Sequence, residues 1–509
     1  MRTLRAGLIL SMLACSSSPR SQAPDEDRRL LSEAGYPEGK GFPQVLLTIH
    51  PTGTTTRLST SLIERWNERL GVEIHHSIQD WKGLLAAADR GEYEILRRAW
   101  VGEVPDPVAF LDLMRKGNPF NTTGWSNAEY EDCLDRAARE QDAAARTRLL
   151  QRAEEILLDE LPVIPLYFFA SQNLYRDREV TGIYQNWYDL HPLNEVAKGS
   201  GSGVLVLNNG GEVDVFDSAQ VREVSEERIV VCLFEGLVRP DPRTLAPVPG
   251  IAERWEISGD GLRYVFHLRE AAWSDGEPVR ARDFEYAWKR ILDPSTESPS
   301  ASALFVLAGA EEFHKGTGDA SSVGVAVQDD RTLVVRLRAP VPYFLELASR
   351  YPLHPARSDA VWSDTVVANG PFRLVEHVPS KHILLAKNDR YWNAASVKQE
   401  LVRWLPIDDP DRALELYERG DCDYLETVSP ESLARLRGRS DFHSTVTFGT
   451  AFLMLNVRGK PFDDKRVRQA FSRAIHRERL CREALGGGGI PAYHLVPPTL
   501  ESRGYRSPQ

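Results

Sequence analysis

Apolar residues along this chain recur with two alternating periods. Leu58, Leu62, Ile63, Trp66 and Leu70 fall three or four apart and predict a helix over residues 55–70. Short apolar runs at 44–49 and 72–78 flank it and predict strands; in the second, the adjacent His75 and His76 face opposite ways and share no metal. Residues 25–34 predict a short helix ending at Gly35-Tyr36-Pro37. Residues 127–140 and 142–160 predict a helical hairpin ended by Pro162, then a buried strand over 163–169 and a loop-rich stretch to Ala197. After Lys198-Gly-Ser-Gly-Ser-Gly203, a flexible Gly/Ser linker by composition, the alternation begins again. It runs through a strand at 204–208, segments 214–227 and 229–238, a helix from Ala281 and a strand pair over 325–337. Helices at 411–419 and 430–437, a strand at 451–457 and one helix over 464–485 follow. Strands and helices alternating in this way predict an α/β protein.

The densest chemistry lies in residues 94–111. Ile95 and Leu96 begin a strand, Pro105 and Pro107 stop it, and Asp106 caps a helix starting at Pro107 with Val108, Phe110, Leu111 and Met114 on its apolar side. The loop between presents Trp100, Gly102 and Glu103. An aromatic plane, open backbone and a carboxylate at a strand's carboxyl end are the parts of a ligand site in an α/β sheet.

Composition narrows the class. With 509 residues the chain exceeds one core, so two or three domains are expected. A net charge of −11 without a basic tract argues against nucleic acid or an anionic membrane surface as partner. Arg2 and Arg5 precede the short apolar run of residues 6–14, a signal h-region too short to span a bilayer. Met12-Leu13-Ala14-Cys15 resembles a bacterial lipobox, which implies export to the periplasm or cell envelope and a lipid anchor on Cys15, with residues 1–22 as signal and tether. Cys133, Cys232, Cys422 and Cys481 are spaced too widely for a local metal site; Cys133 and Cys232 read as small buried hydrophobes, and disulfide pairings stay open. There is no G-x-S-x-G, no H-E-x-x-H and no glycine-rich loop leading to Lys, so an enzyme is disfavoured and no cofactor or metal is expected.

A family resemblance becomes specific in the second half. Ala252-Glu-Arg-Trp-Glu-Ile257, Trp273-Ser-Asp-Gly-Glu-Pro-Val279, Asn369-Gly-Pro-Phe372, Tyr391-Trp392 and Pro461-Phe-Asp-Asp-Lys-Arg-Val-Arg-Gln-Ala470 resemble the oligopeptide-binding proteins of ABC importers, solute-binding protein family 5. So do residues 30–43, 100–111 and Thr123-Gly-Trp-Ser-Asn-Ala-Glu-Tyr130 before the linker. The order is inverted: segments before the linker resemble the family's C-terminal part and those after it the N-terminal part, as in a circular permutation. The resemblance implies a two-lobed, periplasmic-binding-protein-like α/β fold of the Venus-flytrap type with an extra subdomain. One lobe would hold residues 23–161 plus 456–509, the other 162–198 plus 203–238 plus 352–455. Residues 199–203 would join the old termini, and 239–351 would be the subdomain.

The family's roles carry over by position. A short peptide would lie extended between the lobes, bonded through its main chain to Ala99, Trp100 and Val101 on one side and to Val221, Arg222, Glu223 and Val224 on the other. Glu103 would hold the peptide's ammonium group, and Arg97 would meet a ligand carboxylate. The partners implied are short peptides and a membrane permease, with the receptor a monomer. The same scaffold also suits murein peptide, haem or another solute, or a chemosensory role.

Overall fold

The computed structural model describes residues 25–508 apart from 103, 141, 202, 361 and 363–365, and for 502 the backbone only. Cys15 and Glu103 therefore lie outside the described residues.

Two large sheets organise the chain. The first has six strands in the order Ile74–Ile78, Val45–Ile49, Ile95–Val101, Val446–Leu455, Val163–Ala170 and Gly489–Pro491. Its first three strands are mutually parallel, and the later pairings are antiparallel. Helix Gly53–Leu70 covers one face because its apolar residues recur every turn: Leu58, Leu62, Trp66 and Leu70 are buried, and Trp66 Nε1 donates to Phe471 O at 3.0 Å. Thr52 Oγ1 accepts from Thr55 N–H to start this helix, and Gly71 ends it in the left-handed conformation. The hairpin Ala128–Ala137 and Ala143–Glu160 covers the other face. There the buried Glu154 carboxylate accepts from Leu495 and Val496 N–H and from the Tyr505 hydroxyl, so residues 495–505 are tied to the hairpin.

The second sheet has seven strands: Phe372–Val378, His382–Lys387, Leu401–Leu405, Val204–Asn208, Tyr424–Leu425, Asn173–Tyr175 and Phe442–His443. Helices Pro410–Arg419 and Pro430–Leu436 pack on one face. On the other, a single core continues into the four-stranded antiparallel sheet of Ala252–Ile257, Arg263–Leu268, Thr332–Arg336 and Val325–Asp329 with helix Ala281–Leu292. Three motif residues of this half, Asn369, Tyr391 and Trp392, meet in one knot around Glu235. Glu235, buried, accepts from Trp392 Nε1 at 2.5 Å and from the Tyr391 hydroxyl, while Asn369 brackets its backbone at 3.1 and 2.9 Å. Burial pushes the Glu235 carboxyl above its ordinary pKa, and the two hydrogen bonds partly offset that.

Several sequence expectations shift. Val163–Ala170 and Val446–Leu455 belong to the first sheet, not the second, because both are buried runs that pair with each other and with Ile95–Val101. The chain thus crosses between lobes at 170/171 and 445/446 rather than near 161 and 455. Residues 239–351 share their core with the seven-stranded sheet. The helix expected over 464–485 is two, Lys465–Ala474 and Arg477–Glu483, and one helix, Val224–Leu233, spans the boundary between segments 214–227 and 229–238. Helix Trp81–Arg90 has no counterpart in the sequence pattern: its buried side is Leu84, Ala87 and Ala88, too small to stand out, although Asp80 caps it. One residue of the Gly/Ser linker is packed, while Gly199, Ser200 and Gly203 are exposed. Gly201 is buried at φ +83°, a Cβ there would lie 2.2 Å from Lys398 O, and its carbonyl accepts from Glu400 N–H at 3.0 Å. Cys133, Cys232, Cys422 and Cys481 are buried and free, with burial pushing the Cys232 thiol up to about 12. Among the described residues, no helix is long and apolar enough to cross a membrane.

Candidate functional site

Strand Ile95–Val101 is paired along its whole length on one side only. Val446–Leu455 runs antiparallel to it, with Leu453 opposite Arg97, Ala451 opposite Ala99, Thr450 opposite Trp100 and Gly449 opposite Val101. On the other side Val45–Ile49 pairs only at Ile95 and Leu96, so among the described residues no strand pairs with that edge from Arg97 to Val101. Such an edge presents backbone donors and acceptors to an added extended chain.

Side chains alternate across this strand. Arg97 and Ala99 face the side of Tyr167, and Arg97 Nη2 donates to the Tyr167 hydroxyl at 3.0 Å. Arg98 and Trp100 face the side of Phe120: the Arg98 guanidinium sits 4.5 Å from the Phe120 ring centre and 5.9 Å from that of Trp81, and Trp100 meets Phe120 edge-on at 5.3 Å. Burial lowers the Arg98 pKa. Among the described residues neither arginine is ion-paired with an acidic side chain, and Arg97 Nε and Trp100 Nε1 are buried without an acceptor. Trp100 stands within the strand rather than in the loop after it.

The strand ends at Gly102, where space decides the residue. A Cβ would lie 2.4 Å from the Phe448 ring and 3.0 Å from Phe110, and Gly102 N–H donates to Phe448 O at 2.8 Å. Glu103 follows outside the described residues. Beyond it Asp106 accepts from Val108 N–H at 3.0 Å, and Arg146 grips both its carboxylate oxygens at 2.8 and 3.0 Å. The helix it opens is a single turn, Val108–Leu111, with Pro107 just before it.

Opposite this loop stands the second lobe. Pro105, Trp187, Tyr188, Glu227, Glu346 and Arg350 line one pocket between the lobes. Arg350 pairs with Glu227 at 3.1 Å and lies 3.9 Å from the Tyr188 ring centre. Phe448 N–H donates to Trp187 O at 2.7 Å, bringing the 186–190 segment across from the second lobe.

The segment 221–224, which the resemblance makes the ligand's second main-chain partner, runs into a helix rather than a strand. Val221 is buried, Glu223 is the N-cap of helix Val224–Leu233, and the N–H groups of Arg222 and Glu223 both go to Glu226 Oε2, at 2.7 and 3.1 Å. A helix start absorbs these donors, so the segment offers carbonyls and the exposed Val224 instead. Sequence reasoning missed His50, Trp81, Arg98 and Phe120. His50 and Trp81 follow the carboxyl ends of two neighbouring strands, their rings 5.9 Å apart. The strand-end logic that singled out Trp100 applies equally to Trp81, which is exposed just after the Ile74–Ile78 strand. Among the described residues no group of three His, Cys, Asp or Glu stands ready for a metal.

The sequence profile of the bacterial extracellular solute-binding proteins, family 5 Middle, matches residues 9–122 and 246–508. The dipeptide-binding protein DppE of Bacillus subtilis is 34% identical over 314 residues, 60% of this chain and 58% of that protein. The periplasmic oligopeptide-binding protein OppA of Salmonella typhimurium is 35% identical over 308 residues, 58% of this chain and 56% of that protein. This chain therefore spans a little over half the length of these curated relatives. A periplasmic murein tripeptide-binding protein, solved in an unliganded open form, superposes over 60% of either chain with a TM-score of 0.51 and 28% identity.

Proposed function

The chain belongs to the bacterial extracellular solute-binding proteins of family 5, and from that premise we propose that it is an extracytoplasmic receptor whose lobes close on a short peptide for delivery to an ABC import permease. The observation that carries this reading is the free edge from Arg97 to Val101. A peptide main chain added there gains sheet hydrogen bonds whatever its side chains, which gives affinity without reading sequence. Arg97 and Arg98 supply positive charge for a ligand carboxylate, with Trp81, Trp100 and Phe120 as an aromatic wall on one side of the strand. The names of relatives, dipeptide-, oligopeptide- and murein tripeptide-binding, point to the same ligand class.

Glu103 holds the ligand's amino terminus in this reading, since it follows the strand and precedes the Asp106–Arg146 anchor. Native mass spectrometry of protein purified without denaturation tests the ligand class: co-purifying peptides are expected, a murein peptide among them being the informative variant, and a haem or non-peptide solute in their place refutes it. Calorimetry then tests the residue. Glu103→Gln should weaken free-amine peptides at least about tenfold, roughly 1.4 kcal/mol, and leave N-acetylated ones nearly unchanged; equal losses for both would refute the role.

Export and acylation at Cys15 belong to the same proposal, as does the permuted order of segments. Supporting that order, Asn173–Tyr175 before the linker and Val204–Asn208 after it lie in one sheet. A protease site inserted at 199–200, both exposed, should yield two fragments that stay associated and keep binding peptide. Fragments that part into two independently folded proteins would end this reading.

A further inference from the structure

The two chain crossings between the lobes lie side by side. Ser171 N–H donates to Thr445 O at 2.9 Å, and Thr445 N–H to Ser171 Oγ at 3.1 Å. An exposed pair, Arg57 Nη1 with Glu431 Oε1 at 3.2 Å, also joins the lobes, and further interlobe contacts sit close to this hinge or to the strand beside it: Gln172 Nε2 reaches Gly488 O at 3.5 Å, and the Arg437 guanidinium donates to Gly487 O. Rotation about adjacent crossings moves contacts close to the hinge little.

A second ion pair between the lobes, also away from the crossings, is sheltered rather than exposed. Arg503, at the end of Pro498–Arg503 in the first lobe, donates Nη1 to Glu346 Oε1 at 2.9 Å; Glu346 sits on helix Phe344–Ala348 of the second. Neither residue is near a crossing in sequence. Their side chains are sheltered, 27% and 18% exposed, and among the described residues neither has another ion-pair partner. The surroundings agree that this end of the helix meets the first lobe. Glu346 lines the interlobe pocket with Pro105, and the adjacent Tyr343 hydroxyl, pushed up by burial, also feels the Asp106 and Asp112 charges.

We propose that Arg503 and Glu346 form a closure latch, a charge pair made only when the lobes are shut. It rests on the closing-receptor reading above but touches no ligand. A latch of this kind sets the fraction of ligand-free protein that is already closed, and apparent affinity scales with that fraction. It therefore strengthens every ligand by one common factor and leaves selectivity untouched. Approach of the lobes also excludes water around the pair, so its attraction grows as closure completes.

Charge reversal and swap test it on the full chain. Arg503→Glu, Glu346→Arg and the double swap are each checked for native melting behaviour. Electron–electron resonance distances between one spin label in each lobe are then measured without ligand, and calorimetry is run with two peptides of different sequence. Either single reversal should widen the ligand-free distance distribution and weaken both peptides by the same factor, about tenfold. The swap should restore both. Unchanged distances in the single variants, unequal losses for the two peptides, or a folded swap variant that recovers neither quantity would overturn the latch. If the wild-type protein binds no peptide, the peptide reading fails, while the distance measurements still decide the latch.

Discussion

Arg146→Met tests how the loop carrying Glu103 is held. Arg146 reaches from helix Ala143–Glu160 to place two donors on Asp106, at 2.8 and 3.0 Å. The two side chains are only 15% and 9% exposed. Without the guanidinium, the Asp106 carboxylate keeps one backbone donor, Val108 N–H, in a site closed to water. Removing one partner of a buried pair costs about 3–5 kcal/mol, chiefly because the other charge is stranded. Asp106→Asn in the same background removes that charge yet still accepts from Val108, so the double variant should recover about 2 kcal/mol of the loss. Urea unfolding followed by tryptophan fluorescence measures this, taking the transition of the first lobe alone because a two-lobed chain need not unfold in one step. Peptide affinity should fall in the single variant and partly return in the double. A single-variant cost below about 1 kcal/mol, or a double variant equal to the sum of its parts, would refute the reasoning.

Three further outcomes follow from local geometry. Gly102→Ala forces its methyl against Phe448 and Phe110, both buried, and should cost about 1–3 kcal/mol with a loss of peptide affinity, read by thermal melting and calorimetry; a wild-type melt would show that the rings yield freely. Gly201→Ala should melt well below Gly199→Ala, because both positions have positive φ but only at 201 does the new Cβ strike backbone, the Lys398 carbonyl. His354 is buried with its pKa lowered to about 3, so the folded state resists its protonation and stability is lost as pH falls below the unfolded value of 6.5. At pH 5 that loss is about 2 kcal/mol relative to neutral pH. Urea titrations at both pH values should show a difference smaller by that amount in His354→Asn, and an unaltered difference would contradict the shift.

Periodicity alone determined most of the elements. Leu58 to Leu70, the 128–160 hairpin and the runs at 45–49, 95–101 and 163–170 declared their type because one face, or both, must be buried. Motifs likewise determined the family, since Asn369, Tyr391 and Trp392 are tied through the buried Glu235 in a hydrogen-bonded knot that few substitutions would satisfy. What the sequence could not decide was pairing. A buried strand reads the same whichever sheet receives it, so the true crossings at 170/171 and 445/446 emerged only with the register of Val446–Leu455 between Ile95–Val101 and Val163–Ala170. The open edge beside Ala99 exists because Val45–Ile49 stops pairing at Leu96, a fact of strand stagger rather than of composition. The loss of Arg222 and Glu223 amides to Glu226, and the meeting of Arg503 with Glu346, depend in turn on where a helix begins and how two lobes face each other. Local pattern encodes which side of an element avoids water; contacts between elements distant in sequence are fixed only when those sides are packed together.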